Sequence, residues 1–219
     1  MNKQDIIDAF RTEADDTRMP PLFSDDEAGK YLDEAQQEAC IRTKLIFDRE
    51  DESICHIDID GGGMTYDIDD KVHEIRFAQL VDASGQVTEL AIIDRDELDR
   101  THPSWRTETR MPEAIIHEDK TIQTDCTPDA AYTVQLEVYR LPKSLTSDSS
   151  TPEINSIHHR FLVDWMLYRA FSKPDADSYN PGKAKEAYDR FETHFGPRPD
   201  ATMRKRDNAN LPHHVKAHW

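Results

Sequence analysis

The chain has 219 residues and a formal net charge of -17, with 44 acidic against 27 basic side chains. This charge works against ordinary nucleic-acid binding, because affinity for phosphate comes from Lys and Arg side chains that release counterions. No apolar run approaches the roughly 20 residues of a membrane-spanning helix, and the first ten residues lack the basic and apolar regions of a signal peptide. We therefore expect a soluble protein of the cytoplasm, with no membrane contact and one or two domains.

Two helices are predicted near the N-terminus. Apolar residues at helical spacing predict the first over Lys3–Ala14, and the double proline at Pro20 and Pro21 separates it from the second. Ser24 and Glu27 have the spacing of a capping box, which favours a helix start. The apolar pattern then predicts a helix that runs to about Phe47.

The middle of the chain has the two-residue period of β-strands. Alternation after Ser53 predicts a hairpin around three consecutive glycines, residues 61–63. A second strand pair is predicted around the turn sequence at residues 82–85, followed by a short helix over residues 94–100. Further strands are predicted at residues 112–118, 121–124 and 133–139.

A central helix is predicted over residues 151–173, with Thr151 as the N-cap and Pro152 at the first helical position. It has a broad apolar face. Burying four of its large side chains at roughly 1.5 to 3 kcal/mol each is comparable with the net stability of a domain. A last helix is predicted from Pro181 to Phe195, ended by Gly196.

These elements predict an α+β fold. We expect a four-helix bundle formed by the N- and C-terminal helices, with an inserted and mainly antiparallel β domain. The expected bounds are residues 1–50 and 151–196 for the bundle, residues 51–150 for the β domain with its linker, and residues 197–219 for an extended C-terminal arm. The bundle core is expected to contain Phe10, Leu32, Ala35, Phe161, Leu162, Trp165, Met166, Tyr168 and Phe191.

The charge is distributed unevenly along the chain. Residues 197–219, called the C-terminal segment below, hold five basic and two acidic side chains, a charge of +3 that leaves -20 for the other residues. Such a segment is either a solvated end of the chain or a cationic arm that docks on an acidic partner. The residues that would carry docking are Arg204, Lys205, Arg206, Leu211, His213, His214 and Trp219.

Catalysis and metal binding find little support in the sequence. It contains none of the GxSxG, HExxH, P-loop or GxGxxG motifs, and we expect no catalytic residue, metal or cofactor. His56, Asp58 and Asp60 alternate along a strand and suggest a metal-dependent cytoplasmic enzyme as the alternative function. However, alternate residues share a face of any strand, and the distant Glu of a calcium loop is missing. His158 and His159 are expected to be capping or interface histidines.

Three cysteines, Cys40, Cys55 and Cys126, form an odd set without CxxC spacing. Disulfides persist mainly in oxidising compartments, where cysteines usually occur in even numbers. We therefore expect free thiols in a reducing cytoplasm.

Three stretches together resemble the head-to-tail adaptor proteins of tailed bacteriophages, the family that includes the tail tubular protein A, or gatekeeper, of short-tailed phages. The first stretch comprises residues 23–27 (FSDDE) and 31–39 (YLDEAQQEA), with Asp33 where the family usually has Asn. The second runs from residues 127–130 (TPDA) to residues 136–142 (LEVYRLP). The third comprises residues 152–154 (PEI) and His158, then residues 165–171 (WMLYRAF) with Lys173 and Asp175, and later Phe191, Phe195 and Gly196.

The resemblance implies a structural virion protein at the head-to-tail junction. Such proteins form a ring, typically dodecameric, beneath the portal protein, and DNA passes through the ring without specific binding. The implied partners are the portal protein, other copies of the chain, and the next tail component, which is a nozzle, a tail tube or a stopper.

Overall fold

The computed structural model describes residues 1–174 and 178–199. The fold is α+β, as predicted, and the described residues form six α-helices and a curled open sheet. The chain divides into two compact units. The helical unit contains Met1–Ile46 and Leu141–Arg198, and the β unit contains Phe47–Arg140. Each unit has its own apolar core.

The α-helices are α1 (Lys3–Ala14), α2 (Asp25–Thr43), α3 (Glu52–Cys55), α4 (Arg95–Thr101), α5 (His159–Ser172) and α6 (Pro181–Phe195). The strands are β1 (Phe47–Asp48), β2 (His56–Ile59), β3 (Thr65–Asp67), β4 (Val72–Val81), β5 (Val87–Ile92), β6 (Thr109–Arg110), β7 (Ala114–His117), β8 (Thr121–Thr124), β9 (Thr127–Pro128) and β10 (Tyr132–Arg140). Short 3-10 helices cover Trp105–Thr107 and Ser156–His158.

Local hydrogen bonds begin the first two helices. The Asn2 side chain accepts from the Asp5 N–H at 2.8 Å, and the Asp5 carboxylate accepts from the Asn2 N–H at 2.9 Å, which is a complete capping box. Ser24 Oγ caps α2 by accepting from the Glu27 N–H at 3.2 Å. The Glu27 carboxylate accepts from the Tyr31 hydroxyl at 2.7 Å, a contact one helical turn further along α2.

Two of the predicted helix bounds are wrong. Helix α2 ends at Thr43 instead of near Phe47, because Lys44 adopts the left-handed conformation with φ 52°. Helix α5 begins at His159 and not at Thr151. The side chain of Asn155 accepts from the Ile157 N–H at 3.1 Å and starts a 3-10 turn there instead.

Helix α5 is the centre of the helical unit and packs against α1, α2 and α6. Leu162 and Met166 are fully buried, and Val163 and Leu167 are nearly so. Small residues allow close approach, since Ala35 and Ala39 of α2 are also fully buried in this core. Packing of this apolar surface supplies most of the stability of helices of this length.

The β unit is built on one eight-stranded sheet with the order β1-β10-β4-β5-β7-β8-β3, and β2 also pairs with β10. All its strand pairs are antiparallel except β5 with β7. A separate sheet pairs β6 with β9. The predicted hairpin of β4 and β5 is confirmed. Its turn is held by Asp82, whose carboxylate accepts from the backbone N–H groups of Ser84 and Gln86.

The predicted hairpin around residues 61–63 is wrong, because β2 pairs with β10 and β3 pairs with β8. Ile57 and Ile59 of β2 are buried in the core of the β unit together with Val134 of β10. The glycine loop is held instead by the hydroxyl of Tyr66, which donates to the carbonyl oxygens of Asp60 at 2.5 Å and Gly63 at 2.7 Å.

Candidate interaction site at the end of helix α6

A buried arginine lies between α2 and α6. The side chain of Arg42 is 1% exposed, and its Nε donates to Glu38 Oε1 at 2.9 Å. Its guanidinium lies over the rings of Trp165, Tyr188 and Phe191, 5.1–5.6 Å from their centroids. A buried charge is costly unless it is paired and hydrogen-bonded, and cation–π contacts add to this compensation. The surroundings of Arg42 meet these conditions.

Arg42 also holds the end of α6. Its Nη1 donates to the carbonyl oxygen of Gly196 at 2.8 Å. Gly196 has φ 76°, which glycine adopts readily, and its N–H donates to the Glu192 carbonyl at 2.7 Å. Two residues later, Arg198 Nε lies 3.7 Å from Glu38 Oε1. The backbone is therefore fixed by α2 at the point where the C-terminal segment begins.

A pair of histidines joins the beginning of α5 to the last turn of α6. His158 Nδ1 and His194 Nε2 are 3.0 Å apart. The His194 ring stacks on Phe161 with a centroid distance of 3.5 Å, and Phe195 contacts both imidazoles. Burial lowers the pKa of both histidines, and for His194 the nearby carboxylate of Asp164 acts in the opposite direction. His158 is thus an interface histidine.

His159 has a different environment and is fully enclosed. Its Nε2 lies 2.9 Å from the carbonyl oxygen of Ile154 and its Nδ1 lies 3.1 Å from the carbonyl oxygen of Met1. Because a carbonyl oxygen only accepts, the imidazole donates to at least one of them. His159 therefore joins the segment before α5 to the beginning of the chain.

The residues expected in the core of the helical unit fall into two groups. The fully buried ones are Phe10, Leu32, Ala35, Leu162, Met166 and Phe191. The partly buried ones, which pack against that cluster, are Phe161, Trp165 and Tyr168. All three of the second group contact aromatic side chains of α6, and so they belong to the wall around Arg42 and His194.

Asp33, at the position where the resemblance implies Asn, is a hydrogen-bond acceptor. Its Oδ1 accepts from the Leu145 N–H at 3.2 Å and from Gln36 Nε2 at 2.9 Å. An asparagine side chain also has an oxygen that accepts such bonds. The replacement is therefore compatible with the same attachment of the segment around Leu145 to α2.

A loop between α1 and α2 with exposed apolar side chains was not identified from the sequence. Met19 is 91% exposed and Leu22 is 49% exposed. Asp16 holds the loop, since its carboxylate accepts from the N–H groups of Leu22 at 2.6 Å and Phe23 at 3.1 Å and is paired with Arg11 at 2.8 Å. The two prolines beside Met19 were interpreted only as a helix break, although they also stiffen the loop.

The structure does not assemble His56, Asp58 and Asp60 into a metal site. His56 and Asp58 lie on β2, and Asp58 accepts a 2.9 Å hydrogen bond from Thr133 on β10. Asp60 accepts from the N–H of Gly62 in the glycine loop. Within residues 1–174 and 178–199, no group of three or more His, Cys, Asp or Glu side chains is arranged to hold a metal ion.

The negative charge belongs mainly to the β unit. Residues 47–140 contain 23 acidic and nine basic side chains, a formal charge of -14. The residues expected to carry docking lie outside the described residues, and these are Arg204, Lys205, Arg206, Leu211, His213, His214 and Trp219.

A family model described as SU10 adaptor protein matches residues 1–215. The match defines the class of protein, a bacteriophage adaptor that is a structural component of the virion and interacts with other head and tail proteins. The chain belongs to the SU10 adaptor protein family. At this level the resemblance to phage head-to-tail adaptors is confirmed. No curated protein matches the chain. Among the described helices, none is long and apolar enough to cross a membrane.

Proposed function

We propose that this adaptor forms a ring, dodecameric as in gatekeeper-like proteins, that joins the portal protein to the tail at the head-to-tail junction. Membership of the SU10 adaptor protein family supports a role in contacts between virion proteins. In such a ring each subunit uses one surface to contact the next, and repetition around an axis makes individually weak contacts cooperative. The helical unit supplies the contacts to neighbouring copies and to the portal protein.

The observation that carries this proposal is the fixed end of α6. Arg42 and Glu38 hold Gly196 and Arg198, so the chain begins its cationic C-terminal segment from a defined position on the helical unit. A preorganised starting point reduces the entropy lost when a following segment binds. We propose that the basic side chains at residues 204–206 and the apolar side chains of Leu211 and Trp219 dock that segment on the portal protein.

The acidic β unit supports a position beside the DNA path. DNA carries a dense negative charge, and a surface with a formal charge of -14 repels it instead of binding it. DNA then passes through the ring without specific binding. We assign to the β unit the contact with the next tail component, which is a nozzle, a tail tube or a stopper.

Binding of purified portal protein tests the role of the C-terminal segment. The first variant lacks residues 200–219, which are most of the C-terminal segment. The second variant reverses charge in that segment, with Arg204, Lys205 and Arg206 all replaced by Glu. A control with the same change in net charge as the second variant replaces the exposed Arg76, Arg100 and Lys120 of the β unit by Glu. Co-sedimentation with the portal protein should be lost for the first two variants and retained for the control.

Class averages viewed down the axis of the complex test the ring and its copy number. We expect twelve copies beneath the portal protein for the unaltered chain. The docking role is wrong if the deletion variant still assembles a normal joint. The ring is wrong if light scattering shows a monomer both with and without the portal protein.

A further inference from the structure

The contact between His158 and His194 depends on how many protons the pair holds. With both imidazoles neutral, one nitrogen donates and the other accepts across the 3.0 Å separation. With one additional proton, the charged imidazole donates and the neutral imidazole accepts, so the hydrogen bond is retained. Two additional protons turn both nitrogens into donors and place two positive charges side by side, so the hydrogen bond is lost.

The surroundings of the pair oppose the second proton. Phe161 and Phe195 shield the two imidazoles from water, which disfavours an added charge, and the face of Phe161 offsets only part of this cost for His194. His159 is a third imidazole close to His158 and disfavours a positive charge there. These contacts come from the beginning of α5 and from the last turn of α6.

Charged groups on the neighbouring helices only partly offset this effect. Asp164 on α5 favours a proton on His194, but its carboxylate is already paired with Arg190 of α6 at 2.6 Å. Glu13 of α1 and Arg160 of α5 form an ion pair, and their opposite charges both act on Asp164. No further acceptor for a proton of His158 or His194 occurs among their contacts in the described part of the chain.

The histidine pair acts on the same backbone as Arg42. His194 is two residues before Gly196, whose carbonyl oxygen accepts from Arg42. If the last turn of α6 moves away from the beginning of α5, the Gly196 carbonyl oxygen is held less firmly in its position beside Arg42. The C-terminal segment begins at this point.

We propose that His158 and His194 form a proton-sensitive latch, closed at neutral pH, which opens in acid and frees the last turn of α6. The latch is a property of the helical unit by itself. Its consequence for the portal protein, a weaker and less preorganised docking of the C-terminal segment in acid, rests on the proposed function.

The direction of the pH dependence follows from the lowered pKa of both histidines. The unfolded chain, with ordinary histidines near 6.5, binds more protons than the folded unit in this range. The stability that the closed latch contributes is therefore complete above the ordinary histidine pKa, and it is lost as the pH falls from there through the lowered pKa values of the folded state.

Hydrogen exchange of the full chain between pH 7.5 and 5.0 tests the latch. After correction for the intrinsic pH dependence of exchange, protection of residues 188–196 should fall by about tenfold, equivalent to about 1.4 kcal/mol. His194→Gln removes the titrating group and should abolish this dependence. His56→Gln, on β2 of the β unit, is the matched control and should retain it.

The latch is wrong if the unaltered chain and His194→Gln show the same pH dependence in residues 188–196. If His194→Gln does not fold, NMR titration of the unaltered chain decides instead, and two independent imidazole titrations near pH 6.5 would reject a coupled pair. Failure of the proposed function would give a different result. Hydrogen exchange of residues 188–196 would still depend on pH, but deletion of residues 200–219 would leave portal binding unchanged.

Discussion

Arg42 Nη1 and the carbonyl oxygen of Gly196 are joined by a 2.8 Å hydrogen bond across 154 residues of sequence. The same guanidinium is paired with Glu38 one turn earlier in α2 and lies against three aromatic rings. A single side chain thus caps the end of α6, closes the aromatic wall of the core and fixes the beginning of the C-terminal segment.

Replacement of Arg42 by Met should lower the free energy of unfolding by about 3 kcal/mol, because it leaves the buried carboxylate of Glu38 with only the longer, 3.7 Å contact to the exposed Arg198. Urea denaturation followed by circular dichroism measures this loss. Lys185→Met removes an exposed pair with Asp189 and should cost less than about 1 kcal/mol. The double variant Arg42→Met with Glu38→Leu should lose less than Arg42→Met alone. A loss below 1 kcal/mol for Arg42→Met would contradict the assigned role.

Asp15→Gly should stabilise the protein by roughly 0.5–1 kcal/mol. Asp15 follows the last residue of α1 with φ 58°, a left-handed conformation that costs most residues energy and glycine very little. Thermal unfolding should therefore move to a higher temperature. Lys30→Gly, an exposed position inside α2, should instead destabilise by about 1 kcal/mol. A loss of stability in both variants would show that the conformation of Asp15 carries no strain.

Buried thiols should resist alkylation in the folded protein. Burial raises the pKa of Cys55 and of Cys126 to about 11, and nearby carboxylates of Asp48 and Asp125 act in the same direction. Cys40 is also buried. Because the thiolate is the reactive form, iodoacetamide at pH 8 should leave all three unmodified until urea is added. Mass spectrometry counts the modified thiols, and rapid labelling of any one of them in buffer would contradict this prediction.

Helices with strong local signals were predicted well from the sequence. Helices α1 and α6 have the predicted bounds, because their apolar spacing agrees with residues that favour their ends. The beginning of α5 was missed. The apolar spacing continues back to Ile154, but Asn155 forms its own local hydrogen bond and turns the chain before the helix. Local side-chain bonds of this kind compete with the helix and carry little periodic signal.

Strand partners and the interaction site were harder to predict. Alternation along β2 and β3 identifies strands but not their partners, and both strands pair with segments more than 50 residues away. The site at the end of α6 combines Arg42, His158 and His194 from three separate regions of the chain. An arginine in a helix is usually exposed, and only the tertiary packing of α2 against α5 and α6 shows that Arg42 is buried.

Two surface carboxylates of the β unit should titrate far below their usual range. Hydrogen bonds from Arg106 and Trp105 lower the pKa of Asp99 to about 2, and His102 and Ser104 lower the pKa of Glu108 to about 2. Folded-state pKa values that lie below those of the unfolded chain stabilise the fold above about pH 4. This contribution is lost as the pH falls toward 2.

NMR titration of the side-chain carboxyl carbons should give midpoints near pH 2 for Asp99 and Glu108. Arg106→Met should raise the pKa of Asp99 while leaving that of Glu108 unchanged, because only Asp99 is paired with Arg106. Added salt should raise the pKa of Asp99, since the pair is exposed and is screened by ions. An Asp99 midpoint near 4 in the unaltered chain would mean that the bonds to Arg106 and Trp105 are not formed in solution.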